Sequence, residues 1–107
     1  MTDKLPAVVQ ASIDATNAGD LKAFLATFDA DGAVDDWGRV FVGNSAITRW
    51  SDNEYVGKNV TLDVTSVTTN GAETIVIAQV GGDGFNGLST FTYSVVGSMV
   101  ARMTIRE

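Results

Sequence analysis

The sequence predicts an α+β domain, with N-terminal helices packed on one face of a mainly antiparallel sheet. Three observations carry this. Early apolar residues recur at three- and four-residue spacing, the second half alternates strand-forming with polar residues, and turn signals divide that half into strands each joined to the next closely enough to pair antiparallel. At 107 residues the chain suffices for one core, so residues 1–107 are expected to form a single domain.

In "LPAVVQASIDATNAGD" the residues Leu5, Val8, Val9, Ser12, Ile13 and Thr16 share one helical face. Pro6 suits the first turn and Gly19 the position after the helix end. Asp20 can cap a second helix, whose buried stripe is Leu21, Phe24, Leu25 and Phe28. "DADG" then reads as a turn, and "AVDDWGRVFVG" as extended chain interrupted at Gly38. In "NSAITRWSD" a capping Asn44 and the Ile47 and Trp50 pair predict a short third helix. The turn signals "TNGAE", "GGDGFNG" and "VVGSM" leave four strands, roughly 58–68, 73–80, 86–96 and 98–106. Val60, Leu62 and Val64 alternate with polar residues, as do Met99, Ala101, Met103 and Ile105 with Val100, Arg102, Thr104 and Arg106, so each strand buries one face more than the other.

Composition narrows the function. A formal net charge of -6 repels nucleic-acid backbones and anionic lipid surfaces, so neither partner is expected. The chain has no cysteine and no histidine, which leaves carboxylates, hydroxyls, Lys and Arg for any catalysis. No run reaches the roughly 18 to 20 apolar residues of a membrane span, and the opening "MTDKLPAVVQ" carries no targeting signal, so a soluble, cytoplasmic protein is expected. No cofactor is implied.

Asp29, Asp31, Asp35 and Asp36 crowd together ahead of Trp37. A calcium loop starting at Asp29 would need glycine at its sixth position and glutamate at its twelfth, where Val34 and Val40 stand, so no metal is expected. Asp29 and Asp31 suit a turn. Asp35 and Asp36 lie in extended chain, where neighbours point to opposite faces: one faces water, expected to be Asp35, and one faces inward. An inward carboxylate either keeps a bonding partner or has a raised pKa, the condition a general base exploits; the alternative is a solvated strand end for both. "GDGFNG" matches a dinucleotide-binding spacing, but a strand follows it rather than a helix, so it reads as a hairpin loop. Ser12 and Thr16 on an apolar helix face either bond back to the preceding turn or serve as polar handles in a cavity. Trp37, Trp50, Tyr55, Phe85, Phe91 and Tyr93 are core or pocket wall.

The order of these parts, helix, "NAGD", helix ending "FDADGAVDDW", then "GRVFVGNSAITRW" and long strands ending "GSMVARMTIRE", resembles the nuclear transport factor 2-like superfamily, in particular the SnoaL-like polyketide cyclases and ketosteroid isomerases. The resemblance covers nearly the whole chain. It implies a cone-shaped cystatin-like fold, with a curved sheet around a cavity closed by the helices, and a homodimer paired through the outer sheet face. "Val34-Asp35-Asp36" matches the isomerase general-base strand with Asp36 in the base's place, and Ser12 falls where an oxyanion donor would stand. The isomerases' second acid falls near Thr90 or Phe91, and residues 84–106 hold no carboxylate. Arg39 could steady Asp36 or an anionic group. The expected function is binding of a small apolar, polyketide-like or terpenoid-like molecule in a pocket lined by Thr16, Trp37, Arg39, Trp50, Phe91, Tyr93 and Met103. Asp36, with Ser12 as donor, would support isomerase, cyclase or lyase chemistry. The alternative is a non-catalytic binding or protein-interaction module on the same fold.

Overall fold

Pro6 opens α1 (Ala7–Ala18), and Gly19 closes it at φ 69°, a left-handed position that releases two amides to the Ala15 and Thr16 carbonyls. The computed structural model describes residues 4–107; the first three residues of the stretch read for a targeting signal lie outside it. The Asp20 side chain accepts from the Ala23 amide at 3.0 Å and so starts α2 (Leu21–Ala26) as expected. Phe28 is not part of that helix. It opens β1 (Phe28–Asp36), where its ring meets Phe24 edge-on at 5.2 Å.

β2 (Arg39–Val42), α3 (Asn44–Glu54) and a single 3-10 turn (Val56–Lys58) follow, then β3 (Thr61–Asn70), β4 (Glu73–Gly81), β5 (Gly87–Val96) and β6 (Met99–Arg106). The six strands form one curved sheet in the order β2-β1-β6-β5-β4-β3. All neighbours are antiparallel except β1 and β6, which run parallel and join the start of the chain to its end. The helices lie on one face and bury Val9, Ile13, Phe24 and Ile47 against Val34, Val76, Phe91, Tyr93 and Met103. Among the described residues no helix is long and apolar enough to cross a membrane.

Four local expectations change. "DADG" is not a turn but an irregular extended stretch of β1, where the register against β6 shifts between Phe28 and Ala33. Asn44 is not the cap of α3: Gly43, at φ 87°, takes that place one residue earlier, because the chain leaves β2 in a conformation open to glycine. The strand expected from residue 58 begins at Thr61, since Lys58 ends the 3-10 turn and Asn59 follows it left-handed at φ 56°. The alternation expected for β6 also breaks. Val95 pairs with Val100 and Ser94 with Arg102, which leaves Ala101 as a bulge residue and turns Val100 into the core along with Met103.

Candidate functional site

The outer end of β1 sets the site. Asp36 closes the strand opposite Arg39, and a two-residue turn of Trp37 and Gly38 joins them, both left-handed at φ 55° and 89°. Asp35 and Asp36 point to opposite sheet faces, as strand parity requires. Asp36 faces the helices. Its Oδ2 accepts from Arg39 Nη2 at 2.6 Å and from Trp50 Nε1 at 3.0 Å. Arg39 in turn grips Glu54 with both guanidinium nitrogens, Nη1 to Oε2 at 2.9 Å and Nη2 to Oε1 at 2.7 Å, and lies 5.8 Å from the Phe41 ring centre. The fork from Arg39 holds the Glu54 carboxyl below its usual range despite partial burial.

Asp35 points the other way but is not solvated, contrary to expectation. It is 7% exposed beneath Arg102 and Arg106, which reach its carboxylate at 3.0 Å each, while the Gly38 amide donates to it at 2.8 Å. The Arg106 bond, then the Gly38 amide, hold its carboxyl well below the carboxylate range, against the burial that would raise it. The parallel pairing of β1 with β6 is what brings these arginines alongside.

On the helix side the sheet and α3 enclose a cavity of about 340 Å³. Asp36, Trp37, Arg39, Trp50 and Phe91 line it, so five of the residues expected at the site come together there. Thr16, Tyr93 and Met103 do not reach its wall, which corrects their expected place, and Ser12 is absent from it as well. The reason is Tyr55, just past α3. Its ring stacks on Trp50 at 4.8 Å and tilts onto Phe24 at 5.3 Å, filling the space under α1. Thr16 Oγ1 bonds back to the Ser12 carbonyl at 2.9 Å and lies 3.4 Å from the Tyr55 hydroxyl. Burial raises the pKa of both Tyr55 and Tyr93, so both hydroxyls stay protonated.

The cavity wall also contains Tyr55 and Phe85, two of the aromatics read as core or pocket wall, and Asn53, Glu54, Lys58 and Ser89, which the sequence did not single out. Arg39's need for a partner was the one clue to Glu54. Lys58 gave none, because the bend after α3 and the loop after β4, which carries Phe85, become neighbours only in three dimensions. No group of acidic side chains among the described residues is arranged to hold a metal ion.

No protein-family model matches the sequence, and no curated protein does. Solved structures do. A candidate polyketide cyclase from Sinorhizobium meliloti superposes with a TM-score of 0.87 at 28% identity, covering 95% of both chains. This chain has the nuclear transport factor 2-like fold. A protein of ketosteroid isomerase-like fold from Catenulispora acidiphila, in complex with trimethylamine, matches at a TM-score of 0.81 and 22% identity over 97% of this chain and 87% of its own. The orange carotenoid protein of Anabaena (Nostoc) sp., binding canthaxanthin, matches at 0.83 and 18% over 99% of this chain and 38% of its own. In this chain the helices close the cone over a sheet that leaves Asp36 on the concave side and Asp35 on the convex side.

Proposed function

We propose that the protein binds a small, largely apolar molecule of polyketide-like or terpenoid-like shape in this cavity, and that Asp36 takes a proton there from an activated carbon or from water. The observation that carries the reading is the cavity itself: about 340 Å³ of space with Asp36 on a wall rich in aromatic side chains. Small-molecule sites usually start at about 300 Å³, whereas a purely structural member would fill the cone with its own side chains. The canthaxanthin-binding and candidate cyclase neighbours support an apolar ligand. Arg39 and Trp50 fix Oδ2 of Asp36, and Oδ1 has no partner among the described residues, so one oxygen remains to accept a proton from a held substrate.

A second reading, binding without turnover, is favoured by the placement of Ser12, the donor that the resemblance implies, off the cavity wall. One experiment separates the two. A thermal-shift screen of polyketide-like and terpenoid-like compounds identifies ligands, and their carbon acids are then followed by proton-deuterium exchange. Asp36→Asn is expected to keep binding but to slow exchange by about a hundredfold or more; equal exchange by both proteins for every ligand rules out Asp36 as base. We also propose that two copies pair through the convex sheet face, where Val40, Val42, Ile77 and Leu88 are exposed. Light scattering that gives the monomer mass at micromolar concentration would exclude this.

A further inference from the structure

The mouth of the cavity has two features that folding alone does not explain. Trp37 holds the first position of a two-residue hairpin turn in which both residues are left-handed, a place suited to Asn or Gly. An L-residue with a large side chain costs roughly 1 kcal/mol there. Burial does not offset that cost, since Trp37 is 57% exposed and has no ring partner among the described residues. Phe85, in the "GDGFNG" loop, is 58% exposed and likewise has no ring partner. Both line the same cavity.

Phe85 is nonetheless held. Asn86 Nδ2 donates to the Gly82 and Gly84 carbonyls at 3.1 Å each, which closes the loop on itself. The Asp83 amide donates to the Lys58 carbonyl at 2.8 Å, and Asn59 Nδ2 to Asp83 Oδ2 at 2.7 Å. A Cβ on Gly87 would lie 3.0 Å from the Phe85 ring, so the bare glycine is what lets the ring lie over the backbone. The same bonds fasten this loop to the turn that carries Lys58, another residue of the cavity wall.

Charge completes the site. Asp36, Glu54, Arg39 and Lys58 line the cavity. Arg39 is engaged by both carboxylates, while Lys58 has no carboxylate partner among the described residues. An ammonium offers donors alone, so its complement must be an acceptor. Building on the reading of this cavity as a ligand site, we infer that it takes a flat aromatic carboxylate, its ring held between Trp37 and Phe85 and its charge on Lys58. The chain's net charge of -6 favours cations at long range, so a preference for an anion would have to arise at Lys58 itself.

The test is a titration of the whole chain with four probes: naphthoate, cyclohexanecarboxylate, naphthylmethylammonium and the neutral terpenoid camphor. Binding is read by heteronuclear NMR and by tryptophan emission. Naphthoate is expected to bind tightest and to quench a component of the emission that Trp37→Phe removes, leaving that of buried Trp50. Lys58→Gln, at an exposed residue, is expected to weaken naphthoate about fivefold or more and to leave camphor unchanged. Phe85→Leu should weaken naphthoate more than cyclohexanecarboxylate. Equal affinity for the naphthyl anion and cation, or no effect of Lys58→Gln, overturns the inference. If camphor binds and naphthoate does not, the inference fails and the apolar cavity stands. If no probe binds, both readings fail.

Discussion

Replacing Trp50 with phenylalanine removes the bond that connects α3 to the end of β1. Trp50 is 3% exposed, donates to Asp36 at 3.0 Å and stacks on Tyr55. A hydrogen bond to a charged group contributes about 1.5 to 3 kcal/mol, but Asp36 borders a cavity into which water can follow, which places the loss at the low end. Truncating the indole to a benzene ring adds about 1 kcal/mol for lost apolar contact. The sum, about 2 to 3 kcal/mol, corresponds to a fall in Tm of roughly 10 to 20 °C for a chain of this size. Urea unfolding followed by circular dichroism measures it, and an unchanged m value confirms that the denatured state is unaffected. A double-mutant cycle with Asp36→Ala isolates the bond. Coupling of about 1 kcal/mol or more is expected, and additivity within about 0.3 kcal/mol would show that the indole and the carboxylate are near each other without stabilising each other.

The arginine clasp on Asp35 predicts a pH dependence. Its folded-state pKa lies below the ordinary 3.8, so the stability it adds is present above that value and is lost as pH falls from there towards the folded pKa. Urea midpoints measured from pH 6 down to pH 2 should fall more steeply below pH 4 in the wild type than in Asp35→Asn, and parallel curves would exclude the clasp as the cause. Gly57→Ala places a Cβ against the Asp52 backbone carbonyl; a loss of about 2 to 3 kcal/mol is expected, and a neutral result in urea unfolding would contradict the tight bend after α3. Trp37→Asn should raise stability by about 0.5 to 1 kcal/mol by relieving the left-handed turn, while naphthoate binding weakens; a stability unchanged or lowered would mean that the indole packs productively where it stands.

Much of the fold was legible because it rests on short-range rules. The Gly19 stop, the Asp20 cap and the period-two pattern of Leu62 against Asp63 follow from local geometry that any strand or helix of this sequence must obey. Parity also settled that Asp35 and Asp36 must diverge. It could not show what each would meet. Arg102 and Arg106 lie 67 and 71 residues from Asp35, and only the parallel β1 and β6 pairing sets them beside it. Bulges evaded the pattern for a related reason: the extra residue at Ala101 is defined by its partner strand, and one such residue puts Val100 on the same buried face as Met103.

The sequence by itself determined the α+β class, the helices before the sheet, the meander of the last four strands and a lone candidate carboxylate at the end of the first strand. Those follow from periodicity, capping and turn chemistry, which act over a few residues. The tertiary structure alone decided that Tyr55 would seal Ser12 and Thr16 away from the cavity, that Arg39 would bridge Asp36 to Glu54, and that Trp37, Phe85 and Lys58 would meet around one opening. Burial and charge pairing depend on which distant segments share a space, and that is fixed when the sheet curves and the helices close over it.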